Sequence, residues 1–156
     1  MKIIFICSGN TFRSFTGEII ARKYVKDHNI EKFEVSSAGT KANLSLKPYP
    51  KTIERLKEKG IDDLNYNHEQ VTKEILEDKD VIICFSKRHQ NYVKELGFDS
   101  VLFNELAYNK KEDLMDDGEY EEIHGKDYDL NEYIDMIVDY IDDAMPIIFK
   151  NLLNKN

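Results

Sequence analysis

The fold is decided by residues 3–14, whose sequence is Ile3-Ile4-Phe5-Ile6-Cys7-Ser8-Gly9-Asn10-Thr11-Phe12-Arg13-Ser14. The apolar run at the start of this stretch predicts a β-strand that is buried on both faces and is therefore central in its sheet. The polar, glycine-containing part predicts a loop, and the pattern that follows predicts a helix over residues 15–25. A strand, a loop and a helix in this order are typical of α/β proteins with a parallel sheet.

The rest of the 156-residue chain repeats this alternation of strands and helices. Three further strands are predicted over residues 33–36, 81–85 and 101–103, and helices over residues 51–59, 71–76 and 87–96. Residues 104–129 have no sustained period and are predicted to form a long loop with short helical pieces, a kind of loop that is usually functional. A last helix begins at Leu130, and Pro146 is expected to kink or split it. No linker interrupts the chain, so residues 1–156 are predicted to form a single domain.

Acidic residues outnumber basic ones and are concentrated in one region. The chain has 22 Lys and Arg residues and 30 Asp and Glu residues, and its net charge of −8 argues against a broad nucleic-acid-binding surface. Residues 112–143 contain 14 acidic residues and one basic residue, Lys126, so this region carries a charge of −13 and the remainder +5. One interpretation is a solvated acidic face that maintains solubility, and the other is a surface that contacts a partner.

Cysteine and histidine usage predicts neither a disulfide framework nor a metal site. Cys7 and Cys84 are the two cysteines, and neither lies in a paired-cysteine motif, which is typical of a protein in the reducing cytoplasm. The histidines show no metal-ligand spacing, and they are His28, His68, His89 and His124. The apolar run at the start of the sequence is too short for a signal-peptide core or a membrane span, so no membrane partner is expected.

The loop between the first strand and the first helix has the composition of an anion-binding site. Ligands of open parallel sheets bind where strands end, and the N–H groups of a short loop and a helix N-terminus form a cradle for phosphate. Gly9 and Asn10 tolerate the backbone angles that such a loop requires. Arg13 adds a planar, permanently charged donor that suits phosphate. The residues predicted to bind phosphate are Ser8, Gly9, Asn10, Thr11, Phe12, Arg13 and Ser14.

Cys7 lies at the base of this predicted cradle and is the candidate nucleophile. The N–H dipoles and Arg13 favour its thiolate form, and Ser14 is placed to donate a hydrogen bond to the sulfur. The alternative is that Cys7 is a small apolar residue at the end of a buried strand, as most buried cysteines are. Because the segment also contains Gly9 and lies between a strand and a helix, we favour the catalytic interpretation.

The sequence resembles the low-molecular-weight protein tyrosine phosphatases along essentially its whole length. The resemblance is carried by residues 7–14, by Glu18 and by Ser36-Ser37-Ala38-Gly39-Thr40, with weaker matches at residues 59–62 and 80–83. It implies a four-stranded parallel sheet flanked by helices in three layers, a flavodoxin-like α/β fold. It also implies a phosphomonoester hydrolase that needs no metal or other cofactor. In this family's reaction the thiolate of Cys7 forms a phosphocysteine while Arg13 and the loop amides bind phosphate, and water then hydrolyses the intermediate.

The chain departs from the family's pattern at three places. Phe12 stands where members usually carry a second cysteine, and Phe15 stands where they carry a proline. The family's general acid is an aspartate followed by proline and an aromatic residue, and no such tripeptide precedes the last helix here. The nearest match is Glu122-Ile123-His124, which makes Glu122 the predicted general acid, with Glu121 and Asp127 as competitors. The alternative is that the acid is lost and the chain is a slow phosphatase or a phosphate-binding module.

Two substrate classes follow from the resemblance. A protein tyrosine phosphatase is the main prediction, and Tyr49 is a candidate wall against an aromatic substrate. Thr11 looks like the residue that phosphoarginine-directed members carry, so a protein arginine phosphatase is the alternative. The expected partners are a phosphorylated protein or peptide, and inorganic phosphate or another oxyanion in the loop. The acidic region is expected to overhang the pocket and to select substrates with basic flanking residues.

Overall fold

β1 (Lys2–Cys7) lies inside a four-stranded parallel sheet in the computed structural model, which describes residues 1–154. β2 (Glu34–Gly39) pairs with one edge of β1 and β3 (Val81–Cys84) with the other. β4 (Val101–Leu102) pairs with β3 and completes the order β2-β1-β3-β4. The predicted four-stranded parallel sheet is thereby confirmed.

Helices cover both faces of this sheet. In chain order they are α1 (Arg13–Asp27), α2 (Pro50–Glu58), α3 (Lys73–Glu77), α4 (Lys87–Glu95), α5 (Phe103–Tyr108), α6 (Asp117–His124) and α7 (Leu130–Asn154). Alternate residues of a strand point to opposite faces. Accordingly, Ile3 and Phe5 belong to the core that includes residues of α1, α2, α5 and α7, whereas Ile4 and Ile6 pack with residues of α3 and α4. The fold therefore has the three layers that the resemblance implied.

The sequence predicted that Pro146 kinks or splits the last helix, and α7 runs from Leu130 to Asn154 without interruption, so the helix is not split. The proline lies on the exposed side of α7, while Met145 and Ile148 beside it are buried. The carbonyl group of Asp142, which loses its helical N–H partner to the proline, lies on the same side of the helix, where water reaches it. Burial of the apolar face therefore keeps the helix continuous.

The carboxyl ends of β1, β2 and β3 meet at one edge of the sheet. Cys7 is in register with Gly39 of β2, and Ile6 is in register with Cys84 of β3. The chain leaves β1 towards β2 on one side and continues to β3 on the other, so the end of β1 is the topological switch point where open α/β sheets bind ligands. The loop that follows Cys7 lies at this point.

Candidate active site

The loop from Ser8 to Phe12 is fixed by contacts to its outward-facing carbonyl groups. The carbonyl oxygens of Cys7 and Ser8 accept hydrogen bonds of 2.9 Å from the N–H groups of Thr40 and Lys41, just after β2. The Gly9 carbonyl oxygen lies 2.8 Å from Nε2 of His68. The C=O and N–H of a trans peptide unit point in opposite directions. The N–H groups of Ser8, Gly9 and Asn10 share peptide units with these three carbonyl groups and therefore point inward. The Asn10 N–H, for example, lies 3.3 Å from the Cys7 sulfur.

Two residues give the loop its backbone path. Asn10 has φ of 60°, in the left-handed region that asparagine tolerates better than most residues. Gly39 lets the loop approach β2 closely, because a Cβ atom there would lie 2.4 Å from the Ser8 carbonyl oxygen and 3.0 Å from the Asn10 nitrogen. Both contacts are with backbone atoms, which cannot rotate away as the end of a flexible side chain can. Gly39 is thus required by packing against the loop.

Replacing Gly39 with alanine is expected to lower the free energy of unfolding by about 1–3 kcal/mol and to impair activity, because the loop has to move. Urea unfolding followed by circular dichroism measures the first effect. The control is Gly118→Ala, where the added Cβ would meet only Oδ1 of Asp116 at 3.5 Å, an ordinary contact. A Gly39→Ala protein as stable as the Gly118→Ala protein contradicts the packing argument.

Cys7 lies at the floor of the loop with two hydrogen-bond donors on its sulfur. Its side chain is buried, and its Sγ atom lies 2.8 Å from Oγ of Ser14 and 3.3 Å from the Asn10 nitrogen. The Ser14 oxygen accepts a hydrogen bond of 2.8 Å from Nδ2 of Asn10, which leaves the Ser14 hydroxyl hydrogen for the sulfur. Both donors stabilise a thiolate. The structure thus brings Cys7 and Ser14 together as the sequence analysis predicted.

Asn10 also connects the loop to buried groups behind it. Its Nδ2 atom donates to Oγ of Ser37 at 2.9 Å, and its Oδ1 atom accepts from the Glu69 N–H at 3.0 Å. Ser37 in turn donates to Oε1 of Glu18 at 2.8 Å. Burial raises the pKa of Glu18, while its hydrogen bonds from Ser37 and Arg22 act in the opposite direction. Asn10 thereby joins the loop to Ser37 of β2 and to Glu69, a contact that the sequence analysis did not predict.

His89 is a site residue that the sequence analysis missed. Its ring is fully buried, and Nε2 lies 2.9 Å from Oγ of Ser8. Its Nδ1 atom accepts the N–H of Ser86 at 3.1 Å, so Nε2 carries the hydrogen and donates to Ser8. Burial, followed by the positive charges of Arg13 and Arg88, lowers the pKa of His89 to about 3, and the ring stays neutral at physiological pH. The available signal was its position three residues after Ser86, where it forms a reciprocal cap at the start of α4.

Arg13 is buried and is held by the segment that precedes α6. Its Nη1 atom donates to the Leu114 carbonyl oxygen at 2.7 Å. Its Nη2 atom contacts Oδ2 of Asp116 at 3.1 Å and Oε1 of Glu119 at 3.4 Å. The same Glu119 oxygen accepts from Nη2 of Arg88 at 2.7 Å, which ties α6 to α4. Burial is the main cause that raises the pKa of Glu119, and Arg13 opposes it.

The structure does not bring the predicted acid, Glu122, to the loop. Its side chain is exposed on α6, and among residues 1–154 no hydrogen bond or ion pair joins it, or its competitors Glu121 and Asp127, to the loop. The carboxylate that contacts Arg13 at 3.1 Å belongs to Asp116, whose Oδ1 atom also caps α6 by accepting the Glu119 N–H at 2.7 Å. Glu122 lies further along α6, away from this first turn. The helix-start pattern from Asp116 to Glu119 was readable in the sequence.

Tyr49 lies beside the loop, where the sequence analysis placed it. Its ring meets that of Phe12 edge-on with 5.9 Å between centroids. Its hydroxyl donates to Oδ2 of Asp117 at 2.6 Å, and burial together with this carboxylate raises the pKa of the phenol. Tyr49, Phe12 and the segment before α6 therefore form the wall next to Arg13.

The part of the chain that the structure describes holds no group of three or more His, Cys, Asp or Glu side chains arranged to bind a metal ion. Both cysteines are free, and both are buried. Burial raises the pKa of Cys84 to about 12, so its thiol stays protonated. Within residues 1–154, no helix has the length and apolar character needed to cross a membrane.

Comparison with known proteins finds a family and relatives whose sequences are similar to this chain. The family model described as low molecular weight phosphotyrosine protein phosphatase matches residues 2–110. The protein-arginine-phosphatase of Bacillus subtilis (strain 168) is 32% identical over 93 residues, which cover 60% of this chain and 61% of that protein. The low molecular weight phosphotyrosine protein phosphatase of Gallus gallus is 30% identical over 128 residues, which cover 76% of this chain and 79% of that protein.

A solved structure shares the fold. The solution structure of a low molecular weight protein tyrosine phosphatase from Bacillus subtilis matches with a TM-score of 0.81 and 25% identity, covering 99% of this chain and 98% of that one. The chain spans 61% of the length of the Bacillus arginine phosphatase, less than two thirds. The family model covers well over half of the chain, from residue 2 to residue 110. This chain therefore belongs to the low molecular weight phosphotyrosine protein phosphatase family.

Proposed function

We propose that this protein is a cysteine-dependent protein phosphatase that works through a phosphocysteine on Cys7. The observation that carries the proposal is the sulfur atom of Cys7, which has the Ser14 hydroxyl and the Asn10 N–H directed at it. It lies at the floor of a loop with inward N–H groups, and Arg13 starts the helix behind it. A thiolate, an anion cradle and a buried arginine in one place suit nucleophilic attack on a phosphate monoester.

In the first step the Cys7 thiolate attacks phosphorus, and the bond from phosphorus to the leaving group breaks. The amide groups of residues 8–14 and the guanidinium of Arg13 hold the three equatorial oxygens, whose charge they offset. Asp116 gives its proton to the leaving atom. We assign this role to Asp116 instead of Glu122 because Asp116 contacts Arg13 and is anchored at the start of α6.

In the second step water attacks the phosphocysteine, and the sulfur–phosphorus bond breaks. Asp116, now ionised, takes a proton from the water, and phosphate leaves the loop. The Cys7 thiolate is regenerated, and the hydroxyl of Ser14 stabilises the charge that returns to the sulfur. No metal or cofactor takes part in these steps.

Phosphotyrosine is the substrate residue that the wall of the site suits best. Tyr49 is half-buried beside the loop, with the buried ring of Phe12 packed edge-on against it, and presents aromatic surface to a phenyl ring. Phosphoarginine is the second candidate, and charge favours it. Asp116 and Glu119 lie against Arg13 and Asp117 lies against Tyr49, so Glu119 and Asp117 flank the proposed acid and favour a cationic guanidinium leaving group next to it.

We also propose a cellular environment for the protein and a preference for certain residues next to the phosphate of its substrate. Two free cysteines, one of them the proposed nucleophile, suit a reducing environment such as the cytoplasm. The acidic region of residues 112–143 suits phosphorylated protein segments with basic residues near the phosphate, and it suits neither a nucleic acid nor an acidic membrane surface.

Trapping of the intermediate tests the proposal. The protein is mixed with a phosphotyrosine peptide or a phosphoarginine peptide, quenched in acid at short times and analysed by intact mass spectrometry. We expect a transient gain of one phosphoryl group, which peptide mapping places on Cys7. A phosphate-binding module that lacks catalysis gives neither the adduct nor released phosphate, and that result contradicts the proposal.

A further inference from the structure

A groove between α6 and α7 lies outside the proposed catalytic machinery. Its volume is about 330 Å³, and its lining is Tyr120, Tyr128, Asp129, Glu132, Tyr133 and Met136. Half of the Met136 side chain is exposed, at 52%, and supplies an apolar surface at the rim. The groove therefore combines aromatic rings, carboxylates and one flexible apolar side chain.

The aromatic part of the groove is a cluster of three tyrosines. The ring centroids of Tyr120 and Tyr133 are 4.5 Å apart, and those of Tyr120 and Tyr128 are 5.2 Å apart. Tyr128 and Tyr133 meet at an angle of 82° with centroids 6.0 Å apart. Rings in different orientations offer both faces and edges to a ligand, and a tyrosine face attracts a cation.

The two carboxylates of the groove belong to Asp129 and Glu132, and both side chains are exposed. Asp129 and Glu132 take part in no ion pair within residues 1–154. Further along α7, Asp135 contacts Lys51 at 3.4 Å and Asp139 contacts Arg55 at 2.9 Å. Asp129 instead caps the start of α7, where its Oδ1 atom accepts the Glu132 N–H at 3.2 Å. Within residues 1–154, basic side chains of α2 therefore offset the charge of Asp135 and Asp139 but not that of the groove.

The groove adjoins the segment that holds Arg13. Tyr133 donates to the Met115 carbonyl oxygen at 2.7 Å, and Tyr128 donates to the Asp117 carbonyl oxygen at 3.2 Å. Residues 115–117 therefore have Arg13 on one side and the groove on the other. An extended polypeptide spans about 3.3–3.6 Å per residue, so residues up to three positions from the phosphorylated one extend about 10 Å from it, past the segment of residues 115–117 towards this surface.

We infer that this groove binds the cationic side chain of an arginine or lysine that flanks the phosphorylated residue of the substrate. The tyrosine faces attract the cation, Asp129 and Glu132 neutralise it, and Met136 contacts the methylene stem. Arginine suits the site better than lysine because its planar guanidinium stacks on aromatic rings. The inference rests on the proposed phosphatase function and names a specific subsite for its substrate.

A peptide series tests the inference. Phosphopeptides of one sequence carry a single arginine at each of the three positions on either side of the phosphorylated residue, and matched peptides carry citrulline, its neutral isostere. We expect citrulline to lower kcat/KM by about fivefold to tenfold at one or two positions and to have little effect at the others. The Asp129→Asn/Glu132→Gln and Tyr128→Leu variants are expected to lose this positional preference.

The matched control is the Glu77→Gln/Glu95→Gln variant, which makes the same change of charge on α3 and α4, where both residues are exposed. It is expected to keep the preference. If arginine is preferred to citrulline equally at all positions, or if the groove variants keep the preference, the inference is overturned. Either result indicates a general attraction to the acidic surface. No preference at all overturns it in favour of a solvated face.

The two levels of proposal fail in different ways. Hydrolysis of every peptide without positional preference leaves the phosphatase intact and removes the subsite. If no peptide is hydrolysed, the phosphatase fails, and calorimetric binding of the same phosphopeptides then tests the subsite. Tighter binding of arginine than of citrulline peptides, lost in the groove variants, supports the subsite, and equal binding overturns it.

Discussion

Replacing Cys7 with serine is expected to lower kcat/KM for an aryl phosphate by about 10⁴- to 10⁶-fold, in the range found when an enzyme loses its nucleophile. A serine hydroxyl is not ionised at neutral pH, and no base lies next to it here to remove its proton. The change is small in volume, and Ser14 and Asn10 remain available as partners. The variant is therefore expected to fold and to bind inorganic phosphate, which calorimetry measures.

The chain provides a matched control for this variant. Cys84 is the other cysteine, and it is buried in β3 with its thiol protonated. Cys84→Ser is expected to lower thermal stability slightly and to leave kcat/KM close to that of the unmodified protein. Comparable loss of activity in both variants indicates a general effect of cysteine removal on the fold and contradicts the role of Cys7.

Replacing Asp116 with asparagine is expected to lower kcat/KM by about 10²- to 10⁴-fold for phosphate esters with basic leaving groups, because the leaving atom then receives no proton in the first step. The loss is expected to be much smaller for an activated aryl phosphate, whose leaving group departs without protonation. Asparagine keeps an oxygen to cap α6, so the Glu119 N–H retains its acceptor. The difference between the two substrate types therefore reports the chemical role and is insensitive to a small change in folding.

Two further variants separate Asp116 from its neighbours. Glu122→Gln is expected to leave kcat unchanged, because the Glu122 side chain is exposed. Glu119→Gln is expected to weaken the tie between Arg13 and Arg88 and to lower activity on both substrate types alike. A leaving-group-dependent loss in Glu122→Gln restores the original assignment, and the same loss in Glu119→Gln transfers the role to that residue. The alkaline limb of the pH profile of kcat/KM is an independent readout, because it is expected in the unmodified protein and absent from the variant that lacks the acid.

The fold was predictable because the apolar and polar patterns of this chain agree with its final layers. The run from Ile3 to Ile6 is buried on both sides of the sheet, as a central strand requires. A split of α7 at Pro146 was wrongly allowed for, because sequence rules treat a proline inside a helix without knowing which side of the helix faces water. That side becomes known only when the buried face of α7 is packed.

The site was predictable where it is local and was missed where it is assembled from distant segments. Residues 7–14 form one continuous loop, so Cys7, Ser14 and Asn10 meet by short-range geometry. Asp116 and His89 reach the loop across more than seventy residues of chain, and no periodicity reports such contacts. Glu122 was predicted to be the general acid because the two residues after it matched the family's tripeptide best. That criterion ignores which turn of α6 faces Arg13.

The contacts that hold the loop have a consequence for binding energetics. Each part of the loop is fixed by a hydrogen bond to a residue outside it. These residues are Thr40 and Lys41 after β2, His68, Glu69, Ser37 and His89. The conformational entropy of the loop is therefore lost when the chain folds and not when phosphate arrives. A preorganised cradle of this kind spends none of the interaction with substrate on ordering itself, so that interaction remains available to stabilise the transition state.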